Sequence, residues 1–289
     1  MKSAANIIPA PQPVLLDRFR DILRQQGSKA CRTEGTLLAR SMSGNDELFY
    51  VPFEFMNRSA RLVIVGISPG PNQIELAYDA AQARIKAGLS DEMVLEHAKR
   101  EGSFGADTMR PNLIKMLEHF GIPQLLDISK ADDLWGVSWP YLHATSIVPH
   151  AAFRNGKPFA GSFADIMASA PFRECFERDF ASTLPLLGSD VRYIALGPTP
   201  LAALDWCCQQ GLVNPGQILG AFAHPSTNGG SQVSVYLGKK RLEHLSPRDP
   251  VRNRKWLVQE AVRVSQSVAD WKASILRRIR EIPDRGVMR

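Results

Sequence analysis

Four short apolar runs, separated by longer segments with helical periodicity, are the main pattern along the chain. The runs are "RLVIVGI" (61–67), "LHATSIV" (142–148), "VRYIALG" (191–197) and "GQILGAFAHP" (216–225). Each run has the length of a buried strand, and the segments between them are compatible with helices. Strands that alternate with helices predict a parallel sheet covered on both faces. We therefore predict an α/β fold of three layers, α/β/α, with a central four-stranded parallel sheet.

Two additions flank this predicted core. Residues 1–55 form an N-terminal extension that contains a helix in "PVLLDRFRDILRQQG", and we expect it to pack on the main domain, residues 56–289. The main domain contains a helical insertion at about 74–102 and a long C-terminal helix at about 252–282. Apolar residues recur along one stripe of the C-terminal helix, which predicts core packing of Trp256, Val264, Val268, Trp271, Ile275 and Ile279.

Turn-forming and polar residues follow each of the four predicted strands. The strands end in "GISPGP", "TSIVPH", "LGPTP" and "AHPS". The carboxyl ends of parallel strands meet at one edge of a sheet, where ligands bind in folds of this class. We therefore treat Ser68, Ser146 and His224 as members of one constellation.

The letters "GISPG" match G-x-S-x-G, the motif that presents the nucleophile of serine hydrolases. In that motif the backbone N–H of the residue after the serine helps to bind the oxyanion. Here that residue is Pro69, which has no N–H. The sequence thus argues against a serine hydrolase. It also contains no G-x-x-x-x-G-K-[ST] motif, and "GISPGP" lacks the third glycine of a dinucleotide-binding fingerprint.

Composition narrows the class of protein. The 289 residues are 44% apolar and 22% charged, with a net charge of +6 that permits a polyanionic partner. No apolar run approaches the roughly 20 residues of a membrane span, and no signal peptide is expected. The four cysteines form no C-x-x-C pair, so we expect free thiols in the cytoplasm and neither a metal nor an iron–sulfur cluster.

Two motifs and their order resemble those of the uracil-DNA glycosylase superfamily. "GISPGPNQ" after the first strand and "HPSTNGG" after the last are most similar to the single-strand-selective monofunctional type, whose motifs read G-M-N-P-G-P and H-P-S. Between them, "SFGADTMRPNLIKMLEHFGI" is similar to that type's P-F-G segment and the helix after it. The resemblance covers roughly residues 60–235.

The resemblance implies a DNA glycosylase that flips a pyrimidine out of single- or double-stranded DNA and hydrolyses its N-glycosidic bond. His224 then donates a hydrogen bond to the departing base, and Ser68 occupies the position that orients the attacking water. The base pocket is expected to be formed by Gly66, Ile67, Pro69, Gly70, Phe104 and Ser146. DNA contacts are expected from Ser226, Asn228, Lys239, Lys240, Arg241, Arg248, Arg252 and Arg254. We expect a monomer that needs no cofactor.

Two positions depart from the family pattern. Ser68 and Ser146 stand where the relatives carry asparagine, and both changes enlarge the pocket. This favours a pyrimidine bulkier than uracil, such as a hydroxymethylated or glucosylated cytosine of foreign DNA. The alternative is a catalytically weakened protein that binds DNA or a nucleotide without cleavage.

Two further roles stay open. A carboxylate that activates water is sought among Glu75, Asp79 and Asp107, without a sequence argument that selects one. The insertion caps the pocket, contacts DNA or forms a surface helical excursion. Its basic residues are Arg84, Lys86, Lys99 and Arg100.

Overall fold

The computed structural model describes residues 15–105, 108–226 and 229–281. Its central sheet consists of β3 (Leu62–Gly66), β4 (Leu142–Ser146), β7 (Arg192–Leu196) and β8 (Ile218–Phe222). The spatial order of these strands is β4-β3-β7-β8, and all neighbouring strands are parallel. The predicted four-stranded parallel sheet is therefore confirmed. The last strand is shorter than its apolar run because Pro215–Gln217 form a 3₁₀ turn before it.

Helices lie before, between and after these strands. They are α1 (Leu15–Gln26), α2 (Pro71–Lys86), α3 (Asp91–Gly102), α4 (Met109–His119), α5 (Ile122–Leu126), α6 (Phe163–Ala168), α7 (Ala170–Cys175), α8 (Pro198–Gln209), α9 (Gln232–Tyr236) and α10 (Trp256–Glu281). After α7 the chain continues as a π-helical turn (Phe176–Phe180) and a 3₁₀ segment (Ala181–Leu186). Pro185, which has no N–H to donate, lies inside this last segment.

Both faces of the central sheet are buried, as three layers require. Leu62 and Ile64 belong to a core cluster that includes residues of α4, α5 and α10. Val63 and Val65 belong to a second cluster, which includes residues of α6, α7 and α8. Successive side chains of a strand point to opposite faces, so alternation along β3 places the sheet between two helical layers.

A second, antiparallel sheet lies beside the parallel one, and the sequence analysis did not predict it. Its strands are β1 (Leu37–Arg40), β2 (Asp46–Phe49), β5 (Ala151–Arg154) and β6 (Lys157–Pro158), paired in the order β1-β2-β5-β6. The turn between β5 and β6 is Asn155-Gly156, with φ of +51° and +72°. An Asn-Gly pair at positive φ is a strong hairpin signal, and the sequence "AAFRNGKPF" contained it.

Residues 15–55 pack on α2 and α3. Leu16, Phe19 and Leu23 of α1 share a buried cluster with Tyr78 and other residues of these helices. The rings of Phe19 and Tyr50 stack with their centroids 4.2 Å apart. The predicted insertion is thus a pair of helices, and its outer side is covered by the N-terminal segment.

The C-terminal helix α10 is close to its predicted span and packs through most of the predicted stripe. Val264 and Trp271 are buried, but Ile279 is 59% exposed, so the stripe ends before this residue. Arg278 donates a hydrogen bond to Asp190, which precedes β7. The end of α10 therefore lies at the amino edge of the parallel sheet. Among the described helices, none is long and apolar enough to cross a membrane.

Candidate active site

A large cavity among the described residues opens at the carboxyl edge of the parallel sheet. Its volume is about 970 Å³. Both sequence motifs contribute to its wall, and so does the segment that resembles P-F-G. The predicted residues among its lining are Gly66, Ile67, Ser68, Pro69, Gly70, Phe104, Ser146, His224, Ser226 and Arg254. Residues from five distant parts of the sequence therefore meet in one place.

Parallel pairing sets the floor of this cavity. Gly66, the last residue of β3, lies opposite Ser146, the last residue of β4. A Cβ at Gly66 would lie 3.3 Å from Ser146 Oγ and 3.5 Å from Phe104 Cε1. The absent side chain of Gly66 thus leaves the space between the Phe104 ring and the Ser146 hydroxyl open.

Phe104 is held in an uncommon backbone conformation. Its φ is +52°, and its side chain is only 4% exposed. The carbonyl of Ser103 accepts hydrogen bonds from Arg110 Nη2 at 3.1 Å and from Trp135 Nε1 at 3.2 Å. A bulky residue in the left-handed region is strained and persists only where its surroundings fix it. These two bonds fix the turn that brings the edge of the ring to the cavity.

His224 is half-buried, and its ring is oriented by Ser226. The backbone N–H of Ser226 donates to His224 Nδ1 at 3.3 Å, and Ser226 Oγ lies 2.9 Å from the same nitrogen. An acceptor role for Nδ1 assigns the proton of a neutral imidazole to Nε2. Burial lowers the pKa of His224 below its ordinary value, which favours this neutral form at pH 7. No described residue bonds Nε2, so Nε2–H is available as a donor.

The same contacts correct the expectation for Ser226. We expected this residue to shape the loop and to bring a backbone amide toward the DNA phosphates. Its N–H and Oγ are instead used to orient the His224 ring. Ser226 is therefore part of the histidine's support.

Ser68 lines the cavity, but its hydroxyl is used within the protein. Ser68 Oγ donates to the carbonyl of His150 at 3.0 Å and accepts the N–H of Ala152 at 2.9 Å. These bonds join the first motif to β5. One lone pair of Ser68 Oγ remains free to accept a hydrogen bond from a water. The role of Ser68 in orienting the attacking water stays a prediction.

The carboxylate candidates are not in the cavity wall. Glu75 and Asp79 lie on exposed positions of α2, and Asp79 accepts the N–H of Ser28 in the N-terminal segment. Asp107 lies outside the described residues. Arg254 is the one charged side chain among the cavity-lining residues that the structure describes. Among the described residues, no group of three or more His, Cys, Asp or Glu side chains is placed to hold a metal ion, and the four cysteines are free.

The predicted DNA-contacting residues divide into three sets. Arg254 lines the main cavity, whereas Lys239, Lys240 and Arg241 line a separate shallow cavity of about 530 Å³. Arg248 and Arg252 are exposed beyond it, and Arg252 donates to the carbonyl of Leu245. The predicted Asn228 lies outside the described residues.

The insertion differs from expectation at one of its basic residues. Lys99 is only 3% exposed and donates to the carbonyl of Phe55, so it cannot contact DNA. Arg84 is paired with Glu101 at 3.0 Å. The first turn of α2 lines the cavity, and α3 ends just before Phe104. The chain therefore leaves the cavity at the start of α2 and returns to the cavity after the end of α3.

Several lining residues were missed by the sequence analysis. They include the first turn of α2, the hairpin between β5 and β6, the start of α8 and two side chains near His224: Asn72, Gln73, Pro158, Phe159, Thr199, Gln232 and Trp256. Two signals were present, namely the Asn-Gly turn of the hairpin and the "LGPTP" end of the third strand. Nothing in the sequence marked Gln232.

The fold and cavity define an α/β protein with a cleft at the carboxyl edge of a parallel sheet. The chain belongs to the same family as the uncharacterized protein YoxB of Bacillus subtilis strain 168. The two are 31% identical over 199 residues, which cover 68% of this chain and 77% of YoxB. Neither a known protein-family description nor a solved structure matches the chain.

Proposed function

We propose that the protein is a monofunctional DNA glycosylase that excises a modified or deaminated pyrimidine and leaves an abasic site. One observation carries the proposal: the two motifs, Phe104 and Ser146 line a single cavity in which His224 presents an unoccupied Nε2–H. A pocket of this kind suits a base taken out of the stack, with the Phe104 ring on one side. The proposal includes a cytoplasmic monomer acting in DNA repair or in defence against phage.

The chemistry of bond cleavage fits these groups. As the N-glycosidic bond breaks, the sugar acquires oxocarbenium character and the departing pyrimidine acquires negative charge, which is shared by the carbonyl oxygen next to the broken bond. A neutral His224 donates to that oxygen, and the bond strengthens as charge develops.

The size of the base follows from the same walls. Gly66 adds no side chain to the floor, and Ser146 is shorter than the asparagine expected from the resemblance. Beyond this floor the cavity continues to Ala152, Phe159 and Thr199. This room supports a substituent larger than hydrogen on the pyrimidine ring.

The test compares the wild-type protein with His224→Ala on oligonucleotides that carry uracil, hydroxymethylcytosine or glucosylated hydroxymethylcytosine. Alkali-sensitive strand breaks measure base release. We expect release from at least one modified base and a loss of about 10²–10³-fold in His224→Ala, the range seen when a group that stabilises an oxyanion is removed. His119→Ala is the matched control, because His119 is exposed at the end of α4.

Two results would count against parts of this proposal. Efficient release of plain uracil, with no modified base released, contradicts the enlarged pocket. Tight DNA binding without abasic sites on any substrate favours the second candidate, a protein that binds without cleaving. Two observations favour this candidate. The Ser68 hydroxyl already donates to the carbonyl of His150, and the described lining residues include no carboxylate.

A further inference from the structure

Two amide side chains donate hydrogen bonds to backbone carbonyls of the loop that contains His224. Gln232 Nε2 donates to the carbonyl of His224 at 2.7 Å and lies 3.4 Å from the carbonyl of Ser226. Asn112 Nδ2, on α4, donates to the carbonyl of Pro225 at 2.9 Å. Three successive carbonyls are thus held by side chains from two different helices. The position of the imidazole depends on these bonds as well as on Ser226.

Gln232 has little freedom to make any other arrangement. Its side chain is 2% exposed, and its Oε1 accepts a hydrogen bond from Arg254 Nη1 at 3.1 Å. Because the guanidinium is only a donor and the carbonyls are only acceptors, these partners fix which end of the amide is oxygen. The space that a Cβ of Gly229 would need is filled by the Gln232 amide. Glycine at 229 therefore makes room for the amide.

Arg254 connects this support to the ligand side. It lies in the cavity wall, while one of its nitrogens holds Gln232. A positive charge at this place suits a DNA phosphate next to the flipped nucleotide. The chain of contacts therefore runs from the cavity through Arg254 and Gln232 to the backbone of His224.

We propose that Gln232 and Arg254 are positioning residues that hold His224 for catalysis, so that Arg254 acts through Gln232 rather than only as a phosphate contact. The inference rests on the proposed glycosylase function. It differs from the expectation for Lys239, Lys240 and Arg248, whose charges serve binding alone.

A double-mutant cycle separates positioning from binding. Gln232→Met keeps an unbranched side chain of similar length and removes both hydrogen-bonding ends. We expect it to lower kcat about 10- to 100-fold with little change in KM, because contacts made in the transition state are affected most. Arg254→Ala is expected to lower kcat about 10-fold alone and less than about 2-fold in the Gln232→Met background, since coupled residues are not additive. Arg248→Ala, the control, is expected to raise KM and to combine additively with Gln232→Met.

A charged isostere isolates the end of Gln232 that faces the loop. Gln232→Glu keeps the acceptor for Arg254 but loses the donor to the His224 carbonyl when ionised. We expect its kcat to fall as far as that of Gln232→Met. Wild-type kcat in Gln232→Glu would overturn the proposal, and so would additive effects of Arg254→Ala and Gln232→Met.

One measurement does not depend on activity or on the substrate. Side-chain NMR follows the titration of the His224 imidazole in the free, folded proteins. Release of the loop exposes the ring, so we expect its pKa to rise toward the ordinary value in Gln232→Met and, less strongly, in Arg254→Ala. An unchanged His224 titration in both variants would overturn the inference even if the wild type is an active glycosylase. If the wild type releases no base but the titrations shift, the proposed function fails and the positioning of His224 stands.

Discussion

At the scale of single residues, the missing side chain of a glycine and the hydrogen bonds made within the protein decide what the cavity can hold. Gly66 keeps the floor open between Phe104 and Ser146, and Ser226 fixes the tautomer of His224. Ser68 shows the opposite case, in which a residue suggested by its motif has its hydroxyl proton bonded to the carbonyl of His150. The motif therefore identified a turn that lines the cavity, whereas the hydrogen-bond partners of its residues decide which groups are available for chemistry.

Gly66→Ala tests the floor of the pocket. Its new methyl group would lie 3.3 Å from Ser146 Oγ, and we expect kcat/KM for the preferred modified base to fall about 10-fold or more, with a smaller fall for uracil. The measurement is single-turnover base release from both substrates. Gly216→Ala is the control, since no atom lies within 4 Å of its Cβ and Gly216 is not among the cavity-lining residues. Equal losses on the two bases would contradict a steric role for position 66.

At the scale of elements, Glu54 of the segment between β2 and β3 forms a buried ionisable pair with Lys99 of α3. Both oxygens of Glu54 are buried without a well-directed hydrogen bond. Burial raises the pKa of Glu54 to about 7, although nearby Lys99 opposes this shift. Burial likewise lowers the pKa of Lys99 to about 7, against the attraction of Glu54. Tyr50 and Asp179 also face Glu54.

Stability should therefore depend on pH in a particular direction. Between pH 4.5 and about 7 the folded state binds a proton on Glu54 that the unfolded state has lost, so the free energy of unfolding falls as pH rises. Above pH 7 the lowered pKa of Lys99 has the opposite effect, up to its ordinary value of 10.5.

Glu54→Gln removes the first effect. We expect its free energy of unfolding to match that of the wild type near pH 5 and to exceed it by up to about 3 kcal/mol at pH 8, as 1.36 kcal/mol per pKa unit gives. Urea unfolding at pH 5, 7 and 8 measures the difference. Glu75→Gln, at an exposed position of α2, should show no such trend. A pH-independent gap between Glu54→Gln and wild type would contradict the assignment.

At the scale of the whole molecule, clusters of basic residues lie toward both edges of the parallel sheet. Lys239, Lys240 and Arg241 line a shallow cavity that also includes Ser231, five residues after Ser226. The far end of α10, which contains Lys272, Arg277 and Arg280, lies toward the opposite edge because Arg278 contacts Asp190. The same number of charges can therefore be removed at either edge.

Salt dependence of DNA binding distinguishes these two edges. Each phosphate neutralised contributes about 0.7 to 0.9 to the slope of log K against log salt. Alanine at Lys239, Lys240 and Arg241 together should flatten the slope by about 2. Alanine at Lys272, Arg277 and Arg280 is the matched control and should leave it nearly unchanged. Fluorescence anisotropy over a range of salt concentrations measures both, and equal flattening would contradict a binding edge.

The sequence by itself determined the parallel sheet, the helical character of the insertion and the part of the cavity wall that the two motifs form. Apolar runs and their spacing depend on local burial, and parallel strands bring their carboxyl ends together wherever they pair. Pro69 after Ser68 argues against a serine hydrolase because proline has no N–H in any fold. These features were predictable because each depends on local chemistry or on a general rule of topology.

Only the tertiary structure decided how the side chains are used. Lys99 was counted among basic surface residues, but the folding of α3 against Phe55 buries it. Ser226 bonds His224, and Gln232 reaches back to hold the same loop while Arg254 holds Gln232. Hydrogen-bond partners and burial depend on contacts between segments distant in sequence, which no local pattern encodes.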